Sequence, residues 1–444
     1  MNGFSRTFLV TFAAAVLGIA AFNALMDPYV LFDTPRIDNV NRYKPTGLNF
    51  IRLSKGHRVS SGQYEALILG SSRTGRGLNC ELLGYADGDC YNTSTTAATP
   101  AESFRYLQQQ SPQSLNSVYL GLDLFTIVDM RLLNASFVDD RLRTGANGEW
   151  NYRYYKQFIS DYFGSLVSYQ VLEDSRLALR SQQNTVVMPL QDGMPEIHSD
   201  GSWGEDPTRL KARAAGGNLR GKKQEKRFVH LYHVMTELFQ RSRHEHSEAG
   251  LAVTSSMDRH LLAFRDAVEY SHAQGLDLKI FFNTAHAYYW QLVYEQSEGR
   301  LLEYWKQRIV EINQRSAEKF GAAPFPVFDF SGFNTISTEE VPSRLNDYRF
   351  MDGFQDIMHY NLETGGKMVN IMAAECRSER GDDWGLCVDR ENIQSHLRSQ
   401  RRKYRQYASA NQGVFAAFEQ LLQTQRRRRD KMENTEQIPA GPPR

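Results

Sequence analysis

From Thr7 to Met26 the chain carries no charged residue, and Phe8, Leu9, Val10, Phe12, Val16, Leu17, Ile19, Phe22 and Leu25 fill the run. At 1.5 Å per helical residue such a segment spans about 30 Å, the thickness of a bilayer's hydrocarbon core. A segment of this kind commits everything behind it to one of two fates: tethering to a membrane, or passage across one with loss of a leader. Arg6 and the amino terminus precede the run, which favours a cytoplasmic amino end over residues 1–6 and places the bulk of the chain on the other side. In the rival reading, a cleaved signal peptide, Gly18 and Ala20 are the small residues before a cut, but no good A-x-A site closes the segment. The apolar run also exceeds a usual signal core, so residues 7–26 are read as an anchor, and both readings export the remainder. No second run of comparable length and apolarity follows, which argues against a polytopic protein.

Export gives the cysteines meaning, because oxidising compartments allow disulfides to persist. The four fall as two close pairs, Cys80 with Cys90 and Cys376 with Cys387. Four cysteines allow three pairings; local pairing is the simplest, and four unrelated buried thiols is the other open reading. Across 444 residues, 52 basic side chains stand against 51 acidic ones, so charge balance offers no electrostatic case for nucleic acid. A hydrophobic share of 41% indicates a folded chain.

Behind the anchor, residues 27–64 read as a mixed polar and aromatic connector. Residues 65–130 alternate strand and helix: a strand at Ala66–Leu69, an extended piece at Cys90–Asn92, a helix from Pro100, and the buried-type strand "SVYLGLDLF". This rhythm predicts a parallel sheet with helices on its faces. Over 131–258 it gives way to aromatic, helix-like text and then to the turn-rich "QDGMPEIHSDGSWGEDP", which reads as a largely helical insertion or cap. The α/β rhythm returns over 259–389 with "LDLKIFF", "PFPVFDF" and a last helix in "NLETGGKMVNIMAAEC". Residues 390–444 read as a basic helix and a disordered tail, with "RSQRRKYR" and the Arg426–Arg429 run.

The stretch "EALILGSSRTGRGLNC" runs from a strand straight into a small, hydroxyl-rich turn. Gly70, Gly75, Arg76 and Gly77 come close to the phosphate-loop spacing, yet Arg76 stands where the lysine belongs and Gly77 where a hydroxyl should hold magnesium. A nucleophile seat and a simple tight bend remain. A serine needs a base to take its proton and usually a carboxylate to orient that base. Ser72 lies at the carboxyl end of the first strand, and "DIMHY" far downstream supplies Asp356 and His359 on one loop before the last helix. The competing reading makes Asp356 a helix cap and the Gly-Ser-Ser turn ordinary.

Gly-Ser-Ser after strand one, an Asn-containing second block and a C-terminal Asp-x-x-His together resemble the SGNH (GDSL-like) hydrolase superfamily. More narrowly, the anchor followed by "MDPYVLF", together with "VFDFSGFNTIS" and "HYNLETGGKM", is similar to membrane-anchored SGNH-like proteins of bacterial exopolysaccharide loci, relatives of the alginate O-acetylation proteins. The resemblance covers the chain to about residue 375, apart from its middle segment. It implies a three-layer, flavodoxin-like α/β fold held at the inner membrane by a single pass and facing the periplasm or cell exterior. Ser72 would then be the nucleophile, His359 the general base and acid, and Asp356 the orienter. Two positions depart from the family pattern: Ala97 and Ala98 stand where the second block carries glycine, and Asp123 stands where the third block carries asparagine. A carboxylate cannot donate to an oxyanion unless protonated, so Asn92 and the amides of Ser72 or Arg73 are the candidate donors, with the Arg73 side chain as a screen for developing charge; Asp123 and His286 are placed on the same rim, a solvated loop histidine being the other reading of His286. Tyr288, Tyr289 and Trp290 are read as core, with stacking on sugar faces as the alternative. The implied activity is esterase or O-acyltransferase chemistry on acyl esters of a cell-surface or secreted polysaccharide, with an unnamed acyl donor and possible synthesis or export proteins as partners. No metal or organic cofactor is implied. The other reading is a catalytically impaired scaffold that binds glycan or assembles an export complex.

Overall fold

The structure, a computed structural model, describes residues 3–182, 196–204, 234–245, 253–297, 299–340, 351–374 and 384–413, with the single positions 247, 376, 416, 420 and 423. The Arg426–Arg429 run lies outside these residues. Helix α1, Gly3–Met26, is 24 residues of almost wholly apolar text, long enough for about 36 Å. It is exposed over 3–15 and sinks into the protein only in its final turns, where Asn23 and Met26 are buried.

The end of α1 is closed by the segment that follows it. Asp27 turns the chain with φ 39°, and its carboxylate accepts the amides of Leu31 at 2.7 Å and Phe32 at 3.2 Å. A helix leaves its last carbonyls without partners. Here Thr34 Oγ1 donates to Ala24 O at 2.7 Å, Asn41 Nδ2 to Leu25 O at 2.6 Å, and Lys44 Nζ to Met26 O at 2.5 Å. Helix α2, Ile51–Ser61, is mostly buried in spite of its polar text. The reason is specific pairing: Arg52 meets Glu102 at 2.9 Å, and Lys55 Nζ donates to the carbonyls of Asn92 and Ser94 at 2.8 and 2.5 Å.

Strand β1 (Ala66–Leu69) leads into α3 (Ser72–Gly77), β2 (Cys90–Asn92), α4 (Pro100–Leu107), β3 (Ser117–Leu122) and the short α5 (Leu124–Ile127). Helices α6 (Tyr154–Val167) and α7 (Tyr169–Ser181) follow, then a hairpin of β4 (Glu196–Ile197) and β5 (Trp203–Gly204). After a helix over 234–245 come α8 (Val253–Gln274), β6 (Asp277–Phe282), α9 (Ala287–Ser297), α10 (Arg300–Phe320) and β7 (Val327–Asp329). Helix α11 (Leu362–Ala373), strand β8 (Leu386–Cys387) and α12 (Ile393–Ala410) complete the order.

Six strands form one sheet in the order β2-β1-β3-β6-β7-β8, with β8 antiparallel to β7 and all other pairs parallel. Every residue of β1 is buried, as expected where helices cover both faces of a parallel sheet. Helix α8 packs beside α4 and α10, and α11 packs on α3. Within 131–258, α6 and α7 pack against α1, and β5 packs against α3; residues 183–195 and 205–233 lie outside the description. Helix α12 buries Ile393, His396, Leu397 and Gln400 and leaves Arg398, Arg401, Arg402 and Arg405 exposed. The cysteines pair locally, Cys80 with Cys90 and Cys376 with Cys387, at Cα separations of 5.6 and 5.5 Å.

The glycines that imitate a phosphate loop answer to packing. A Cβ at Gly75 would lie 2.5 Å from the Trp203 ring, and one at Gly77 would lie 1.9 Å from the Tyr360 ring. The tightest approach is between helices: a Cβ at Gly365 of α11 would meet the Gly77 carbonyl oxygen at 1.7 Å. Because that obstacle is backbone, Gly365→Ala must separate α11 from α3. Overpacking of this kind costs about 1–3 kcal/mol, so thermal unfolding in detergent is expected to show a clearly lowered midpoint. An unchanged midpoint would contradict the contact.

Candidate active site

The turn after β1 is set by Gly70, whose φ of 150° and close approach to Thr74 leave no room for a side chain. Ser71 caps α3, its Oγ accepting the Arg73 amide at 3.2 Å, and this delivers Ser72 as the first helical residue at the carboxyl edge of the sheet. In doubly wound sheets the crevice forms where successive crossovers leave in opposite directions. That point lies between β1 and β3, because β2 flanks β1 on one side and β3 on the other.

The loop before α11 comes to the same edge. Phe354 bridges to Tyr360, and the Gln355 amide donates to His359 O at 2.8 Å, which folds 354–360 into a closed turn. Asn361 Oδ1, accepting the Thr364 amide at 3.0 Å, is the cap of α11, which leaves Asp356 free of that duty. Asp356 Oδ1 accepts the amides of Met358 at 2.8 Å and His359 at 2.9 Å. Both its carboxylate oxygens stand 2.9 Å from His359 Nδ1, and His359 Nε2 stands 2.9 Å from Ser72 Oγ. A carboxylate can only accept from Nδ1, so Nδ1 carries the proton and Nε2 is the acceptor for the serine hydroxyl. Ser72 and His359, 287 positions apart in sequence, thus join Asp356 in one hydrogen-bonded chain.

Burial lowers the His359 pKa from its ordinary value; the neighbouring Asp356 carboxylate works against this, and the Arg76 and Arg73 charges work with it. The imidazole is therefore neutral near pH 7 and able to accept a proton. Asp356 is 1% exposed, whereas Ser72 is 8% exposed and the His359 side chain 12%, so the serine and the ring are nearly enclosed and the carboxylate lies deeper still.

The other residues singled out from sequence form the support behind this chain. Arg73 is fully buried. It pairs with Asp123 through Nη1 at 2.5 Å, donates from Nε to Met358 O at 2.8 Å, and lies 4.1 Å over the Tyr289 ring. Asp123, 2% exposed, also accepts from Ser71 Oγ at 2.5 Å and Asn283 Nδ2 at 3.0 Å. Asn92, directed into the fold, donates from Nδ2 to Leu78 O at 2.9 Å and accepts the Ser94 amide at 3.0 Å. His286 Nε2 lies 2.8 Å from Glu339 O, and its backbone amide donates to Ile357 O at 3.1 Å, beside Asp356. Tyr289 and Trp290 are buried, while Tyr288 is half-buried. Arg73 and His286 therefore hold the Asp356–His359 loop, and Asp123 holds Arg73 and Ser71.

Two participants were not singled out from sequence. Asn283 follows β6 directly, as Asp123 follows β3, and Ser72 lies three residues past the end of β1; Asn283 Oδ1 accepts the Tyr360 hydroxyl at 2.9 Å. Position at a strand's carboxyl end was the signal available for it. Ser71, beside the nucleophile candidate, is the second. At Ala97 the backbone adopts φ 52°, a left-handed conformation that glycine reaches without cost and alanine at roughly 1 kcal/mol. The Thr95 amide donates to Gly70 O at 3.2 Å, so this strained loop lies against the serine turn. Ala97→Gly is expected to raise the unfolding midpoint slightly with the backbone unchanged; a lower midpoint would argue against the left-handed turn. No family model matches the chain, and no curated protein or solved structure matches it.

Proposed function

We propose that the protein is an exported, membrane-anchored serine esterase or O-acyltransferase of SGNH type, built on a flavodoxin-like sheet and acting on acyl esters of a cell-surface or secreted polysaccharide. The observation that carries this reading is the unbroken chain from Ser72 Oγ through His359 to Asp356, with 2.9 Å at each link. His359 takes the Ser72 proton as Oγ attacks the acyl carbon, then returns it to the leaving alcohol. The acyl group on Ser72 passes to a sugar hydroxyl or to water, with His359 again the base. For the oxyanion, the backbone amides of Ser72 and Ala97 are the proposed donors; neither is hydrogen-bonded to another of the described residues. The order of the five parallel strands, 2-1-3-4-5 when counted along the chain, supports the flavodoxin-like assignment.

Retention of α1 as a single-pass anchor is part of the same proposal. Its last turn is built into the fold through the Thr34, Asn41 and Lys44 bonds, so a cut after Met26 would leave those groups unpaired. Two disulfides agree with an oxidising compartment. The polysaccharide, the inner membrane and the periplasm come from the resemblance in sequence.

A scaffold that binds glycan without catalysis is favoured by one observation: Asp123, at the family's asparagine position, is committed to Arg73 and Ser71. A serine-directed fluorophosphonate separates the two. The catalytic reading expects stoichiometric labelling that maps to Ser72 and disappears in Ser72→Ala; the scaffold reading expects none. The pH profile gives a second check. With the base's pKa lowered by burial, protonation removes activity only below the ordinary histidine value, so the acid limb of kcat/KM should have its midpoint below about 6.5. A midpoint well above that value would exclude His359 as the base.

A further inference from the structure

We infer that α6 and the start of α7 form a second membrane contact, lying in the headgroup and acyl boundary of the bilayer that α1 crosses; this rests on α1 being retained as an anchor. Tyr155, Ile159 and Phe163 recur every fourth residue on α6, within an arc of about 80° at 100° per residue. With Tyr152 before the helix and Tyr169 at the start of α7 they are 57–86% exposed, and Trp150 packs beside Tyr155.

The neighbouring groups fit the same assignment. The carboxylate of α6, Asp161, is turned inward to His57 and Arg141 at 2.8 Å, so the outer face carries Lys156 and Arg153 and no acid. Aromatic side chains with polar tips and adjoining cations suit a lipid headgroup region. Placement selects the occupant. Both helices pack against α1, and Asn23 Nδ2 donates to Leu166 O at 2.8 Å. With residues 7–26 crossing the hydrocarbon core, residue 23 of α1 stands within one turn of the exit, and the bond to Leu166 brings the end of α6 to that boundary. The apolar stripe is therefore continuous with the exit point of an apolar helix, and the surface that meets both is the bilayer.

The full chain reconstituted into nanodiscs of phosphatidylethanolamine and phosphatidylglycerol, doped with a phospholipid carrying a diazirine in its acyl chain, tests this by irradiation and peptide mapping. Lipid adducts are expected on α1 and also within 150–169. The variant carrying Tyr155→Asp, Ile159→Asp and Phe163→Asp should lose the second set, keep the first, and retain its unfolding midpoint. Adducts on α1 alone would overturn the inference and leave the anchor standing, as would a stripe free of adducts and cross-linked to a second copy. Absence of adducts from α1 would overturn the anchor and the inference together.

Discussion

Replacing Ser72 with alanine is expected to lower kcat on an activated aryl ester by about six orders of magnitude while leaving the unfolding midpoint in place. The estimate follows from how a hydrogen-bonded nucleophile, base and orienter behave as one unit: loss of the nucleophile or of the base alone removes nearly all of what the group contributes. Ser72 is small and nearly enclosed, and its truncation removes only the hydroxyl oxygen bonded to His359 Nε2, so no cavity larger than one atom opens. His359→Ala should cost about the same, and the double variant little more than either. Asp356→Ala should cost less, because the ring keeps its bond to Ser72 but loses the acceptor that fixes its tautomer. Turnover in Ser72→Ala within tenfold of the parent would remove Ser72 from the reaction. Effects of Ser72→Ala and His359→Ala that multiply in the double variant would show the two acting separately.

The second large effect lies behind the nucleophile. Asp123→Ala leaves the Arg73 guanidinium buried without its carboxylate and removes the acceptor of Ser71 and Asn283. Stranding one partner of a fully buried ion pair costs about 3–5 kcal/mol, enough to consume a large part of the stability of an ordinary domain. Removing both charges with Asp123→Leu and Arg73→Met should restore much of that loss, since apolar replacements of a buried pair are often close to neutral. The pair should therefore show strong coupling in a double-mutant cycle read by denaturant unfolding. Single effects that add to within about 0.5 kcal/mol would show that the two side chains do not depend on each other. The restored variant should still be slow, because Arg73 Nε no longer holds Met358 O and the His359 loop loses its position. That loss should appear mainly in kcat.

Some of this was legible before the coordinates. A run of four apolar residues ending in Gly-Ser-Ser marks a buried strand and its carboxyl edge, and Asp356 with His359 on one loop marks a local pair. Their meeting with Ser72 is a matter of topology, which the alternation of strand and helix already constrained. Local disulfide pairing was the simpler of two readings that the cysteine spacing left open, and both pairs form. What stayed hidden depends on partners far away in sequence. The polar text of α2 gives no sign that Arg52 and Lys55 are buried against Glu102 and the 92–94 backbone. Asp123 looks like a surface carboxylate at a strand end until Arg73, Ser71 and Asn283 close on it. The glycine spacing after β1 suggested phosphate chemistry, but its reasons are the rings of Trp203 and Tyr360 and the backbone of α11. Strand β8 is two residues long and antiparallel, too short to leave a pattern. Thr34, Asn41 and Lys44 appear as loop residues until the unpaired carbonyls of α1 call for donors.

The central claim is that the Ser72 hydroxyl is a nucleophile activated by His359. Its most direct measurement is rapid-quench mass spectrometry of the full chain mixed with p-nitrophenyl acetate at about pH 7, where the imidazole is neutral. The account predicts a burst of p-nitrophenol matched by an acetyl group on the peptide containing Ser72, and no such adduct in the His359→Ala variant. A folded parent protein that forms no adduct at Ser72, or one that acetylates Ser72 equally well without His359, would contradict it.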